Sequence, residues 1–418
     1  MRILLAIHNA YTDATSGAAH SMRILMQWLA EGGHECRVLG TARFDAKPPH
    51  SIEDHLAQLD VPLQRHPPSK TFVRSVKKPA NLVIGRQTVD FVLDGVPVTM
   101  LMTKAEPGST ADRFESQQVL FLLDDIFQHF QPDLLVTYGG HPVVQEAMRR
   151  AQVRGTTTVF SLRNRGYEDR KYFAHVDHVF TTSPFLSDLY RRTMDLCSVG
   201  IESPIDWTDV EAPPDLQRFV TFVNPSPAKG SMVFARVADM LGSSRADIPI
   251  LIVQSARGAG ALNTIPGLDF TKYPHIVVAP ATPRPADFLA LTRILLVPST
   301  VPEAFGRVAA EAMINGIPPL VSDRGGLPQT VGEAGRVIPL PSWLSEDSKQ
   351  LPTAAEAKPW VDAICELWDD GEAYRRASEI ARRVAAERFS EYVMRRRYLE
   401  YFASIEAGTA PRPFEESS

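Results

Sequence analysis

The stretch from Val297 to Gly332 reads V-P-S-T-V-P-E-A-F-G-R-V-A-A-E-A-M-I-N-G-I-P-P-L-V-S-D-R-G-G-L-P-Q-T-V-G. Leading into it, Ile294-Leu295-Leu296-Val297 is the unbroken apolar run of a strand buried on both faces, and Pro298 stops it. A loop carrying Glu303 follows, then a helix predicted over 307–314. Gly306 frees its start, and Asn315-Gly316 ends it in the left-handed manner. Pro318-Pro319-Leu320-Val321 leads into the next strand, and Gly325-Gly326 predicts another tight turn. Strand, loop, helix and strand in so few residues make a βαβ unit.

The chemistry expected of this unit sits at the start of its helix. Amides of Phe305, Gly306, Arg307 and Val308 point outward there, beside the positive end of the helix dipole, which suits an anion. Gly306 lets a phosphate approach the backbone closely. Glu311, about one turn further in, reaches toward a ribose diol, and Glu303 faces whatever hangs from the distal phosphate. Two carboxylates flanking a phosphate cradle read as a nucleotide-sugar site. Taken alone, they fit better a surface loop with two solvated glutamates, which is what most such pairs are. The flanking P-E-A-F-G, E-A-M-x-x-G and S-D-x-G-G-L-P motifs decide for the former. This stretch closely resembles the signature of the retaining glycosyltransferases of GT-B fold, family-4 type (glycosyl transferases group 1). The resemblance is dense here and thinner along nearly the whole chain.

At 418 residues the chain has room for two α/β domains with large cores. A net charge of −5 argues against a nucleic-acid binder. No apolar run approaches the roughly 18–20 residues that span a bilayer, which leaves peripheral contact as the form of any membrane association. The apolar start over 1–7 is short for a signal peptide and reads as a first strand. Cys36, Cys197 and Cys365 form neither a disulfide nor a zinc pattern. A reduced, cytoplasmic protein is expected.

From the start, a strand over 2–7, a loop over 8–17, and Met22, Leu25, Met26 and Leu29 at helical spacing precede a second strand over 35–39. This opens a Rossmann-like domain without the G-x-G-x-x-G of dinucleotide binders. Residues 91–98 predict a hairpin around Asp94-Gly95. A helix over 117–130 and a strand over 134–137 lead to the loop Tyr138-Gly139-Gly140-His141. Asp124-Asp125 and His175-x-x-His178 tempt as metal ligands and read better as a solvated helix face and a strand entry. Strands over 157–162 and 179–182 follow, and Ser183-Pro184 opens a helix. The chain crosses to a second domain at 203–207, whose strand over 219–223 ends in Asn224-Pro225-Ser226-Pro227-Ala228-Lys229-Gly230. Strands over 248–253, with a Ser255-Ala256-Arg257-Gly258 loop, and 275–278 come next. Helices over 354–368, 372–388 and 390–402 close the chain, with Arg395-Arg396-Arg397 on a solvated face.

The resemblance assigns further residues. In such enzymes a lysine followed by glycine faces the donor diphosphate, which Lys229-Gly230 matches; an arginine five residues earlier is replaced here by Asn224. Gly17 falls where a glycine-rich loop faces the donor phosphates, though a plain turn glycine looks the same. The family's histidine slot after Leu162 holds Arg163, with Asn164 in the acidic one, and His141 is the alternative candidate for that contact. Arg163 is expected to reach the donor and restore charge missing at Asn224, or else to pair with Glu168 or Asp169. Thr282 stands in the loop that supplies backbone groups to the nucleobase.

The expected architecture is α/β, a GT-B fold of two Rossmann-like domains facing a central cleft. Residues 1–205 form the acceptor-side domain, 206–388 the nucleotide-sugar domain, and 389–418 a helix crossing back to the first. The expected activity is retaining transfer of a sugar from a nucleoside diphosphate, UDP first and GDP second, to a hydroxyl acceptor. Glu303, Lys229 and Arg163 act in catalysis. Glu311, Phe305, Gly306, Arg307, Val308, Asn224, Gly17 and Thr282 bind the donor, with no metal or other cofactor. A nucleotide-sugar 2-epimerase and a silent sugar-nucleotide-binding module are the rival readings. The sugar, the acceptor and the oligomeric state stay open.

Overall fold

The computed structural model describes residues 1–13, 16–45, 51–68, 70–75, 78–103, 113–213, 216–254, 272–282 and 284–414, leaving aside the side chains of 70–75 and 78–84. The loop expected over 255–258 lies outside them. The chain divides into two units, Met1–Ile201 with Arg395–Ser418, and Glu202–Met394.

The first unit runs β1 (Arg2–Ala6), α1 (Gly17–Glu31), β2 (Glu35–Thr41), α2 (Ile52–Gln58), β3 (Gln64–His66), the separate hairpin β4 (Lys70–Ser75) and β5 (Lys78–Ile84), β6 (Thr88–Leu93) and β7 (Val96–Leu101). It continues with α3 (Arg113–His129), β8 (Leu134–Thr137), α4 (Pro142–Val153), β9 (Thr157–Leu162), β10 (His178–Thr181), α5 (Pro184–Met194) and β11 (Val199–Gly200). Among the described residues its main sheet has the order β11-β10-β9-β8-β1-β2-β7-β6-β3. The pairs are parallel from β11 to β7, and β6 and β3 add antiparallel neighbours. Asp94 and Gly95 both take positive φ, 50° and 76°, the backbone a two-residue hairpin turn needs.

The second unit runs α6 (Trp207–Val210), β12 (Phe219–Val223), α7 (Ser231–Ser244), β13 (Ile250–Val253), β14 (Ile276–Ala279), α8 (Pro285–Leu289), β15 (Thr292–Val297), α9 (Arg307–Ile314), β16 (Pro319–Ser322), α10 (Leu327–Val331), β17 (Arg336–Ile338), α11 (Ala354–Asp369) and α12 (Gly371–Phe389). Its sheet, β14-β13-β12-β15-β16-β17, is parallel throughout. Alternate residues feed two cores. Val220, Phe222, Ile294 and Leu296 pack with Phe234, Trp360 and Ile364 on one face. Leu251, Leu295 and Val297 pack with Phe305, Met313 and Phe389 on the other. That double burial is why these strands read as unbroken apolar runs.

The last helix, α13 (Glu391–Glu406), begins in the second unit and joins the first from Arg395 onward. There Tyr398 packs against Trp28, ring centroids 6.2 Å apart, and Phe180 meets Tyr398, Tyr401 and Phe402. Arg395 pairs with Glu31 at 2.7 Å, so this arginine is a docking contact of the helix and not simply a solvated one.

Candidate active site

In an open parallel sheet, ligands gather at the carboxyl ends of strands where the chain's winding reverses. In the second unit that point lies between β12 and β15, and the loops after these two strands carry Lys229 and Glu303. Lys229 ends a single 3-10 turn, Pro227–Lys229, and donates to Glu303 Oε1 at 2.5 Å. Ser299 Oγ donates to the same oxygen at 2.7 Å. Thr300 locks the two loops together, its amide donating to Ala228 O at 3.0 Å and its hydroxyl to Pro227 O at 2.8 Å.

Close backbone approach sets this geometry. Gly230 holds φ +86°, and a Cβ there would stand 1.9 Å from Pro298 O. Gly325, at φ +65°, lies against Glu303, whose carbonyl oxygen a Cβ would meet at 2.4 Å. Glu303 O accepts from the Gly326 amide at 2.7 Å. Thus the S-D-x-G-G-L-P motif serves as a backbone clamp on the catalytic candidate. Asn224 takes φ 59°, a left-handed conformation that asparagine tolerates and arginine seldom adopts. This accounts for the amide in that slot.

At the start of α9, Gly306 is the N-cap at φ +81° and offers no side-chain acceptor to the first amides. Packing gives Gly306 a reason beyond phosphate approach, since a Cβ would meet Leu327 Cδ2 at 2.5 Å. The Phe305 ring is buried, edge-on to Phe389 with centroids 5.7 Å apart, so its backbone is what it can offer a ligand. Val308 is partly buried against the same core. Glu311 is buried, and its Oε1 accepts from Arg307 Nε at 2.7 Å. Burial pushes the Glu311 carboxyl up, and Arg307 opposes this. Thr282 is engaged at the start of α8, donating to Asp287 Oδ2 at 2.5 Å and accepting from the Arg284 amide at 3.1 Å.

The remaining site candidates, Gly17 and Arg163, lie in the first unit, where the structure brings them together. Arg163 follows β9, and its guanidinium donates to Gly17 O at 3.4 Å and Ser161 Oγ at 3.4 Å, with Met22 Sδ at 3.9 Å. Among the described residues nothing would stand within 4 Å of a Cβ on Gly17. His141 caps α4, its Nδ1 accepting from the Val143 amide at 3.2 Å, and stacks on His8 with centroids 5.0 Å apart. The metal-like pairs are engaged elsewhere. Asp124 bonds Arg150 and Arg154, which corrects its reading as a merely solvated face. His175 bonds Gln152, and His178 bonds Pro411 O.

Burial pushes the His8 imidazole down to about 4, with His141 and Arg43 adding to the shift and Asp45 opposing it. The unfolded chain, near 6.5, therefore takes up the proton first. Stability from this group is full above about pH 6.5 and drains away as pH falls toward 4, by about 3 kcal/mol in all. Denaturant unfolding of the parent and His8→Gln at several pH values checks it. The variant should show a flatter profile across that window.

Two residues of the site, Ser299 and the Arg307 side chain, escape a reading of the sequence. A small hydroxyl after a strand carries no distinctive signal, and the motif points to Arg307 only through its amide.

Residues 273–384 match the family model described as glycosyl transferases group 1. No curated protein matches the chain in sequence. Among solved structures it is similar to a glycosyltransferase from Rickettsia africae ESF-5, with TM-score 0.66, 14% identity, and 97% of this chain and 98% of that one covered. It is also similar to sucrose-phosphate synthase from Thermosynechococcus elongatus, with TM-score 0.64, 16% identity and coverage of 98% and 100%. Anabaena HepE, solved with UDP and glucose, gives TM-score 0.62, 14% identity and coverage of 97% and 100%. Over nearly its whole length the chain therefore has the GT-B fold of these structures.

Proposed function

We propose that this enzyme transfers a sugar from a nucleoside diphosphate, UDP in first place and GDP in second, to a hydroxyl acceptor with retention of configuration. The observation that carries the reading is the Lys229–Glu303–Ser299 group at the β12 and β15 strand ends. The bond from the anomeric carbon to phosphate oxygen breaks, the bond to acceptor oxygen forms, and the acceptor hydroxyl's proton passes to the departing diphosphate. Charge then grows on the leaving diphosphate. Lys229 and the first amides of α9 stabilise it as fixed donors that need no reorganisation as the charge develops. Glu303 orients the sugar through its hydroxyls, and Glu311 accepts from the ribose.

A thermal-shift panel of UDP, GDP and ADP tests the donor, since ligand at 100 times its Kd raises stability by about 2.7 kcal/mol. With the favoured UDP-sugar and an accepting sugar, the first-formed product should keep the donor's anomeric configuration by its NMR coupling constant. Transfer should continue in excess EDTA, because Lys229 and the helix amides fill the role of a divalent ion. An inverted product removes the retaining reading. Loss of activity that magnesium restores removes the metal-free one.

A further inference from the structure

Arg307 and Glu311 sit one turn apart on α9 in an order that helix stability does not explain. A cation in the first turn lies at the positive end of the dipole, and arginine four residues before glutamate is the poorer arrangement of an ion pair along a helix. The pair is nevertheless tight and largely buried. Arg307 Nε donates to Glu311 Oε1 at 2.7 Å, and its NH1 donates to Pro204 O at 3.4 Å, so the guanidinium is held from two sides. The Glu311 side chain is 7% exposed. Asp209, on the neighbouring α6, also acts on it and disfavours the anion. Arg307 is thus the counterweight to both burial and Asp209.

We propose that Arg307 is the positioning residue of nucleotide recognition: it holds Glu311 as an aimed anion, and the pair, not Glu311 alone, selects a ribonucleotide. The inference rests on the reading of Glu311 as the ribose contact. An ionised carboxylate has about four lone-pair directions. One is taken by Arg307, which leaves acceptors for both hydroxyls of a ribose diol. A protonated Glu311 would itself be a donor and would accept from a diol poorly.

The test uses the full chain, with UDP and 2′-deoxyuridine diphosphate as probes in calorimetry between about pH 6 and 9. The parent should prefer UDP by roughly 10–100-fold, the scale of a hydrogen bond to a charged group. Arg307→Met should lose that preference, and its UDP affinity should rise with pH as Glu311 ionises. Arg307→Lys, the milder change, keeps a charge without the planar fork; it should show a reduced preference and a flat pH profile. A parent-like ribose preference in Arg307→Met, or in Arg307→Lys should the first variant not fold, overturns the proposal. A second readout needs no nucleotide. In unliganded, ¹³C-glutamate-labelled protein, with Glu311→Gln giving the assignment, the Glu311 carboxyl should titrate at higher pH in Arg307→Met than in the parent. The same titration in both overturns the proposal. An Arg307-dependent carboxyl in a protein that binds neither UDP nor GDP leaves the ion pair standing and removes the nucleotide reading instead.

Discussion

Gly230→Ala is expected to lower stability by on the order of 3–5 kcal/mol and transfer by roughly 100-fold. Two independent costs combine. The backbone at Gly230 is left-handed, at φ +86°, and the added methyl would stand 1.9 Å from Pro298 O. The clash is severe because its partner is backbone, which cannot rotate away as a side chain does. Relief requires the loop after β12 to separate from the loop after β15. That separation pulls Lys229 from Glu303 and breaks the bonds of Thr300 to Pro227 O and Ala228 O. Gly17→Ala is the contrasting variant. No described atom lies within 4 Å of its Cβ, and its stability should stay within about 0.5 kcal/mol of the parent. Denaturant unfolding with parallel transfer rates decides the matter. A Gly230→Ala protein as stable and active as the parent would show that the two loops are not held by this contact.

Lys229→Ala should lower kcat by about 100- to 1000-fold, the cost of removing one preorganised donor from a developing negative charge. Its effect on stability should be under about 1 kcal/mol, because the Lys229 side chain is 37% exposed and its ion pair is screened by water. The split between rate and stability is the diagnostic. Lysine as a mere surface partner of Glu303 predicts small changes in both. Steady-state kinetics at saturating donor, with melting temperature alongside, separates the two. An unchanged kcat would remove Lys229 from the leaving-group site. Ser299→Ala gives a milder comparison, since Glu303 then keeps Lys229 and its carboxylate loses one hydroxyl donor, worth about 1.5–3 kcal/mol.

Much of the second unit was legible because its signals are local. The helix over 307–314 emerges as α9 with the same limits. Gly306 and Gly316, both at positive φ, mark its two ends, and that conformation is a property of the residue type. The strands before and after it are short apolar runs stopped by proline or glycine. The Asp94-Gly95 hairpin was legible for the same reason. Helices with less abrupt ends drifted: the one expected over 117–130 starts at Arg113 in α3, and the last, expected over 390–402, runs on to Glu406. Frayed ends have weak side-chain signals, so composition alone places them loosely.

What the sequence determined by itself, then, is the alternation of strands and helices, the βαβ unit around 307–314, and Glu303 and Glu311 as carboxylates on either side of a helix start. These follow from periodicity, turn chemistry and motif spacing within a few tens of residues, whereas Lys229 was singled out by the family resemblance alone. Only the tertiary structure decided what these side chains touch. Lys229 and Glu303 are 74 positions apart, and they meet because β12 and β15 are neighbours in the sheet. Arg163 reaches Gly17 across 146 positions. Even Arg307 and Glu311, within one helix, required burial to become a pair of consequence. The physical reason is common to all three. Backbone conformation is set largely by near neighbours, whereas the partner and the dielectric surroundings of a charge are set by whatever the folded chain brings beside it.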